Sequence, residues 1–125
     1  MVSVESHVKA AEAAYHDGKF AEAGAAYSMV TQLDPKHVSA LERLGSIALW
    51  NNHPDKAVGY LKEALTYTSG LQKFWPFNAQ LNTRLAMAYY RADQFLESSR
   101  FFKAAAGPIA LGPFRQLRAQ NWSAR

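Results

Sequence analysis

The chain is 125 residues long, enough for one domain to bury a core without covalent staples, and its 49% apolar and 19% charged content is that of a folded globular protein. It has no cysteine, which excludes disulfides, cysteine-ligated zinc and thiol nucleophiles. The net charge of +4 is unevenly placed, because residues 98–125 carry five basic and no acidic side chains while the rest is nearly balanced.

The opening Met1–His7 lacks a basic stretch followed by an apolar core, so no secretory signal is predicted and a cytoplasmic address is expected. No apolar run is long enough for membrane insertion. Amphipathic helices are then predicted near 4–16, 20–33, 38–51, 55–67, 77–91 and 95–106, with apolar residues three and four apart, as in Leu41, Leu44, Ala48 or Ala57, Leu61, Ala64. Asp17-Gly18-Lys19 breaks the first helix from the second with a glycine suited to a left-handed helix end. Asn52-His53-Pro54 does the same for the next two, with a proline tolerated in a first turn, and Asp93 takes that place in the third pair. Leu33-Asp34-Pro35 ends the second helix, since proline restricts the residue before it and donates no hydrogen bond. A last amphipathic segment, 113–122, reads as a seventh helix.

Shifting the chain on itself by 34 residues aligns Ala11 with Gly45, Ala14 with Ala48, Ala23 with Ala57 and Tyr27 with Leu61. A further shift of 41 aligns Leu44 with Leu85, Gly45 with Ala86, Leu61 with Phe102 and Ala64 with Ala105. Small residues meet small and large meet large. Such self-similarity marks stacked supersecondary units, each unable to bury its apolar face alone.

The pattern resembles the tetratricopeptide repeat family. The residues carrying the likeness are Ala11, Ala14, Gly18, Phe20, Ala23, Tyr27 and Pro35 in the first unit, Leu44, Gly45, Ala48, Pro54, Ala57 and Leu61 in the second, and Leu85, Ala86, Tyr89, Phe95 and Phe102 in the third. The resemblance implies an all-α fold, a right-handed α-α superhelix of three helix pairs with a C-terminal capping helix. It would form one domain over 4–125, with repeats at about 4–37, 38–71 with an insertion to 78, and 79–112, and the cap at 113–122.

In that family the first helices of successive units line a concave groove that binds protein or peptide. Transferred by register, the groove positions here are Lys9, Glu12, Tyr15 and His16, then Arg43, Ser46, Leu49 and Trp50, then Arg84, Met87, Tyr90 and Arg91. Trp50, Tyr15 and Tyr90 would give apolar contact, with Arg43, Arg84 and Arg91 as a polar rim, which suits a segment with acidic and apolar groups. Some members clamp the terminal carboxylate of heat-shock chaperones through lysine, asparagine and arginine at five positions. These read here Val8, Glu12, Arg43, Gln80 and Arg84, of which only Arg84 matches, and Glu12 opposes a carboxylate, which argues against a chaperone-tail adaptor.

The extra residues of the second unit place Phe74, Trp75, Pro76 and Phe77 before the fifth helix, where the rings would either carry a function of their own, as aromatic loops often do, or, the preferred reading, cover the join between units two and three. The four histidines include no pair three or four apart, and neither a glycine-rich phosphate loop nor a Gly-x-Ser-x-Gly elbow occurs, so no cofactor, metal or catalytic group is expected. Binding of nucleic acid or another acidic partner through Arg100, Lys103, Arg115, Arg118 and Arg125 is the disfavoured alternative. A regulatory module of a larger enzyme, a larger parent chain or a homo-oligomer would also fit the pattern.

Overall fold

The computed structural model describes residues 3–68, 70 and 78–107. The expectations for Phe74, Trp75, Pro76, Phe77 and the helix at 113–122 lie outside the described residues. Five helices, α1 (Val4–His16), α2 (Phe20–Leu33), α3 (Val38–Trp50), α4 (Pro54–Tyr67) and α5 (Ala79–Arg91), are followed by α6 over 95–107. They lie within one or two residues of the predicted spans, and each packs on its neighbours in chain order, α1 on α2, α2 on α3, α3 on α4 and α4 on α5.

The pairs turn by one recurring device. Gly18, Asn52 and Asp93, 34 and 41 residues apart, take φ of 77°, 60° and 62°. After each helix the N–H of Lys19, His53 and Gln94 reaches back to the carbonyl of Ala14, Ala48 and Tyr89 at 2.9, 2.8 and 2.9 Å. The N–H of the left-handed residue itself bonds Tyr15, Leu49 or Tyr90 at 3.1 Å, completing a Schellman cap that satisfies carbonyls left open at a helix end. Glycine adopts this conformation freely, whereas a side chain strains it. Asn52→Gly and Asp93→Gly should therefore each raise stability by about 0.5 kcal/mol, while Gly18→Ala should lower it by about 1 kcal/mol, measured by urea unfolding. Nothing stands within 4 Å of a Cβ added at Gly18, so that loss is purely backbone strain.

Helix α1 starts on Ser3, whose hydroxyl accepts from the Ser6 N–H, and α3 starts on His37, whose Nδ1 accepts from the Ala40 N–H at 3.1 Å. Helix α4 has Pro54 in its first turn, where the missing donor is not needed.

Helix α3 sits at the centre of the stack and is buried on nearly every side. Ala40, Leu44 and Ile47 join Ala11, Ala23, Tyr27 and Val30 in a first core cluster. On the opposite side Leu41, Ala48 and Leu49 join Ala57, Leu61, Ala64, Leu81 and Leu85 in a second. One helix thus shares apolar surface with both neighbouring pairs, the physical basis of a continuous repeat core. Gly45 marks the closest approach, because a Cβ built there would stand 2.6 Å from Leu61 Cγ. In the third pair Ser98, buried at 2% exposure, bonds its hydroxyl to the Ala86 carbonyl at 2.8 Å and ties α6 to α5.

Candidate partner-binding groove

Helices α1, α3 and α5 present their polar and aromatic positions to a shared hollow of about 360 Å³. Seven of the twelve positions transferred from the register line it: Tyr15, Ser46, Leu49, Trp50, Arg84, Met87 and Arg91. Ser46 and Leu49 form its buried floor, and the Ser46 hydroxyl is turned onto the Glu42 carbonyl at 3.1 Å. Trp50 is 69% exposed, yet its ring is not loose. Phe20 stacks beneath it with centroids 5.8 Å apart and planes 11° from parallel, while Tyr15 meets Phe20 edge-on at 5.4 Å. The indole is therefore held with much of its surface free.

Glu12, His16 and Arg43 form the wall between the first two units. The Glu12 carboxylate accepts from the Tyr27 hydroxyl at 2.8 Å and lies 3.7 Å from Arg43 and 3.6 Å from His16. Arg43 also covers the Tyr15 ring, its guanidinium carbon 4.3 Å from the centroid. Burial is the largest single influence and works against the Arg43 charge, but Glu12, Tyr27 and Tyr15 together outweigh it and hold the guanidinium pKa above its usual value.

Between units two and three, Arg84 lies 3.5 Å from Glu42. Burial of the Glu42 carboxyl pushes its pKa up, and the attraction of Arg84 and then Arg43 only partly offsets this. Arg91 donates to the Leu49 carbonyl at 2.9 Å, near the C-terminal end of α3 where cations are favoured, and forms no ion pair among the described residues. The guanidinium has further N–H donors beyond the one that Leu49 takes.

Tyr90 stands 59% exposed just beyond the hollow, edge-on to Phe95 at 5.3 Å. Lys9 is exposed on α1 and is not among the lining residues. Sequence reasoning missed Phe20 as the support of Trp50 and Tyr27 as the anchor of Glu12. Both side chains carry repeat-register signals, but their reach into the groove depends on how successive pairs are rotated. Of the basic positions considered for nucleic acid, Arg100 is paired with Glu97 at 3.5 Å, and Arg115, Arg118 and Arg125 lie outside the described residues.

The helix pairs, their register and the groove define a tetratricopeptide-like helical repeat, a class of fold typical of protein-interaction modules and typically not catalytic. No protein-family model matches the chain, and no curated protein does. Solved structures do match. The chain is similar to the N-terminal domain of stress-induced protein-1 (STI-1) from C. elegans, with a TM-score of 0.72 and 14% identity over 92% of this chain and 94% of that one. It is also similar to a crystal structure of MamA, with a TM-score of 0.71 and 18% identity over 84% of this chain and 54% of that one. A second MamA structure gives the same score and identity over 83% and 57%. At these identities the likeness is one of fold, and the chain spans only about half the length of the MamA structures. Among the described residues no helix is long and apolar enough to cross a membrane, and no cluster of three or more histidine or acidic side chains could hold a metal ion.

Proposed function

We propose that the protein is an interaction module that holds a segment of a protein partner in the hollow between α1, α3 and α5. The observation supporting this is the lining itself: a supported and exposed Trp50 beside Met87, with Arg84 and Arg91 at the rim and no acidic residue among the lining side chains. Tryptophan and arginine are the residue types that dominate binding energy at protein interfaces, and a partner with apolar and carboxylate groups complements them. Glu12, the groove acid that would repel such a partner, is engaged by Tyr27 and Arg43.

The test is a comparison of wild type with Trp50→Ala and Arg91→Ala in quantitative pull-down followed by titration of the recovered partner. Truncating a central anchor should weaken binding about 30-fold, corresponding to roughly 2 kcal/mol. Recovery of every specific partner at wild-type level by both variants, with helical content unchanged, would remove the groove assignment.

A further inference from the structure

The apolar lining does not stop at the groove. Met87, Tyr90, Arg91 and Phe102 enclose an adjoining hollow of about 220 Å³. Tyr90 and Phe102 then open onto a third, of about 440 Å³, that Phe95 and Lys103 of α6 also line. Shared side chains thus connect the groove to the outer side of α6. The repeat register makes Phe102 unusual there. Tyr27 and Leu61 occupy its position in the first and second pairs, and both are fully buried in clusters that the following pair completes through Leu44 and Ile47 or Leu81 and Leu85. Phe102 is 45% exposed, and Phe95 57%, so the face that earlier units close is open here among the described residues. Exposed aromatic rings grouped on one face mark an interaction surface.

We infer that this end face takes an acidic amphipathic helix of a protein partner, extending the groove reading on which the inference rests. The charges specify the partner. The three connected hollows are lined by Arg84, Arg91 and Lys103 and by no carboxylate, and neither Arg91 nor Lys103 has an ion pair among the described residues. An apolar helix face would cover Tyr90, Phe95 and Phe102 while acids along its edges meet the cations. The same charges disfavour the other two occupants. Residues 108–125 contain Arg115, Arg118 and Arg125 and no acid, and a second copy would set Lys103 and Arg91 against their own kind.

The experiment uses the full chain and two synthetic amidated peptides of about 18 residues, long enough for a marginal helix, with Leu and Phe three and four apart and either Glu or Lys at all other positions. Binding is read by fluorescence anisotropy. The Glu peptide should bind at least about tenfold more tightly than the Lys peptide and weaken with added salt, and Phe102→Ser and the solvent-exposed Lys103→Glu should each reduce its affinity about tenfold. Unchanged affinity in both α6 variants, with Trp50→Ala still weakening binding, overturns the end face and leaves the groove reading standing. The reverse pattern removes the groove reading and keeps the end face. No binding of the Glu peptide, or equal binding of the two peptides, overturns the acidic assignment. A chain ending at residue 107 that binds at least tenfold more tightly shows the chain's own segment to be the occupant. A dimer that Lys103→Glu dissociates, seen by light scattering, shows a second copy to be the occupant. Either result overturns the inference.

Discussion

Gly45→Ala should lower stability by about 2 kcal/mol, although the same change in an unconstrained helix would raise it by about 1 kcal/mol. The sign reverses because a methyl at residue 45 would lie 2.6 and 2.7 Å from Leu61 Cγ and Cδ2. Leu61 is fully buried among Leu81, Leu85 and Ala57, so it cannot swing into solvent, and α3 and α4 must move apart instead. Ala11 and Ala86 hold the same register position in the outer pairs and are themselves fully buried, so the intolerance belongs to the middle pair alone. Leu61→Ala by itself should cost about 3 kcal/mol through the cavity it leaves. In the double variant the new methyl and the new cavity meet. The two losses should then fall short of additivity by about 1–2 kcal/mol, because contacting sites couple where distant ones do not. Urea unfolding of the four chains measures this directly, and strict additivity would show that α3 and α4 do not press on each other at this point. Since α3 also carries Ser46, Leu49 and Trp50, a shift between α3 and α4 would misplace the groove floor.

The architecture was legible because it rests on local signals repeated in register. The left-handed residue after each first helix is Gly18, Asn52 or Asp93, and the 34- and 41-residue offsets found by self-alignment are the offsets between these turns. The small residues aligned at 11, 45 and 86 are all buried where pairs cross. Helix ends moved slightly. Pro54 begins α4 because its fixed φ and missing donor suit a first turn, while α5 begins at Ala79 rather than 77. The site was harder to read. A register says which residues look toward the groove, but not which of them spend their polarity on the chain itself. Arg43 and Arg84 read as rim cations, yet each lies beside a carboxylate of the preceding unit, leaving Arg91 as the groove arginine without one among the described residues. Those pairings depend on the rotation between successive helix pairs. The open face of α6 was invisible for a related reason, since periodicity marks Phe102 as a core position and only the surrounding packing shows that the described residues leave it 45% exposed.

Tyr27→Ala should cost about 4 kcal/mol, whereas Tyr27→Phe should cost only about 1–2 kcal/mol. The ring is fully buried between α1 and α3 with Ala11, Val30 and Leu44, and its hydroxyl donates to Glu12 at 2.8 Å. Phenylalanine keeps the packing and gives up only the bond to a charged acceptor. The two changes also differ in their dependence on pH. Burial first, and the hydrogen bond to Glu12 second, raise the Tyr27 pKa well above its ordinary 10.0, and Arg43 offsets only part of this. The folded chain therefore keeps a phenol proton that the unfolded chain releases. The stability from Tyr27 is fully present below the unfolded pKa and is lost as pH rises from there through the folded value. Wild type should accordingly lose its advantage over Tyr27→Phe above about pH 10, where the unfolded tyrosine ionises, because the remaining tyrosines titrate in both chains and cancel in the comparison. Urea unfolding of the pair at neutral pH and again above the unfolded pKa tests the sign, and a constant difference would show that the hydroxyl is not held as a buried donor. The consequence reaches the groove through Glu12. With the hydroxyl gone that carboxylate loses its fixed donor, and Arg43, which it holds over the groove-lining Tyr15 ring, becomes freer to leave that ring. Tyr27→Phe is thus the conservative core change expected to weaken partner binding without touching a groove-lining residue.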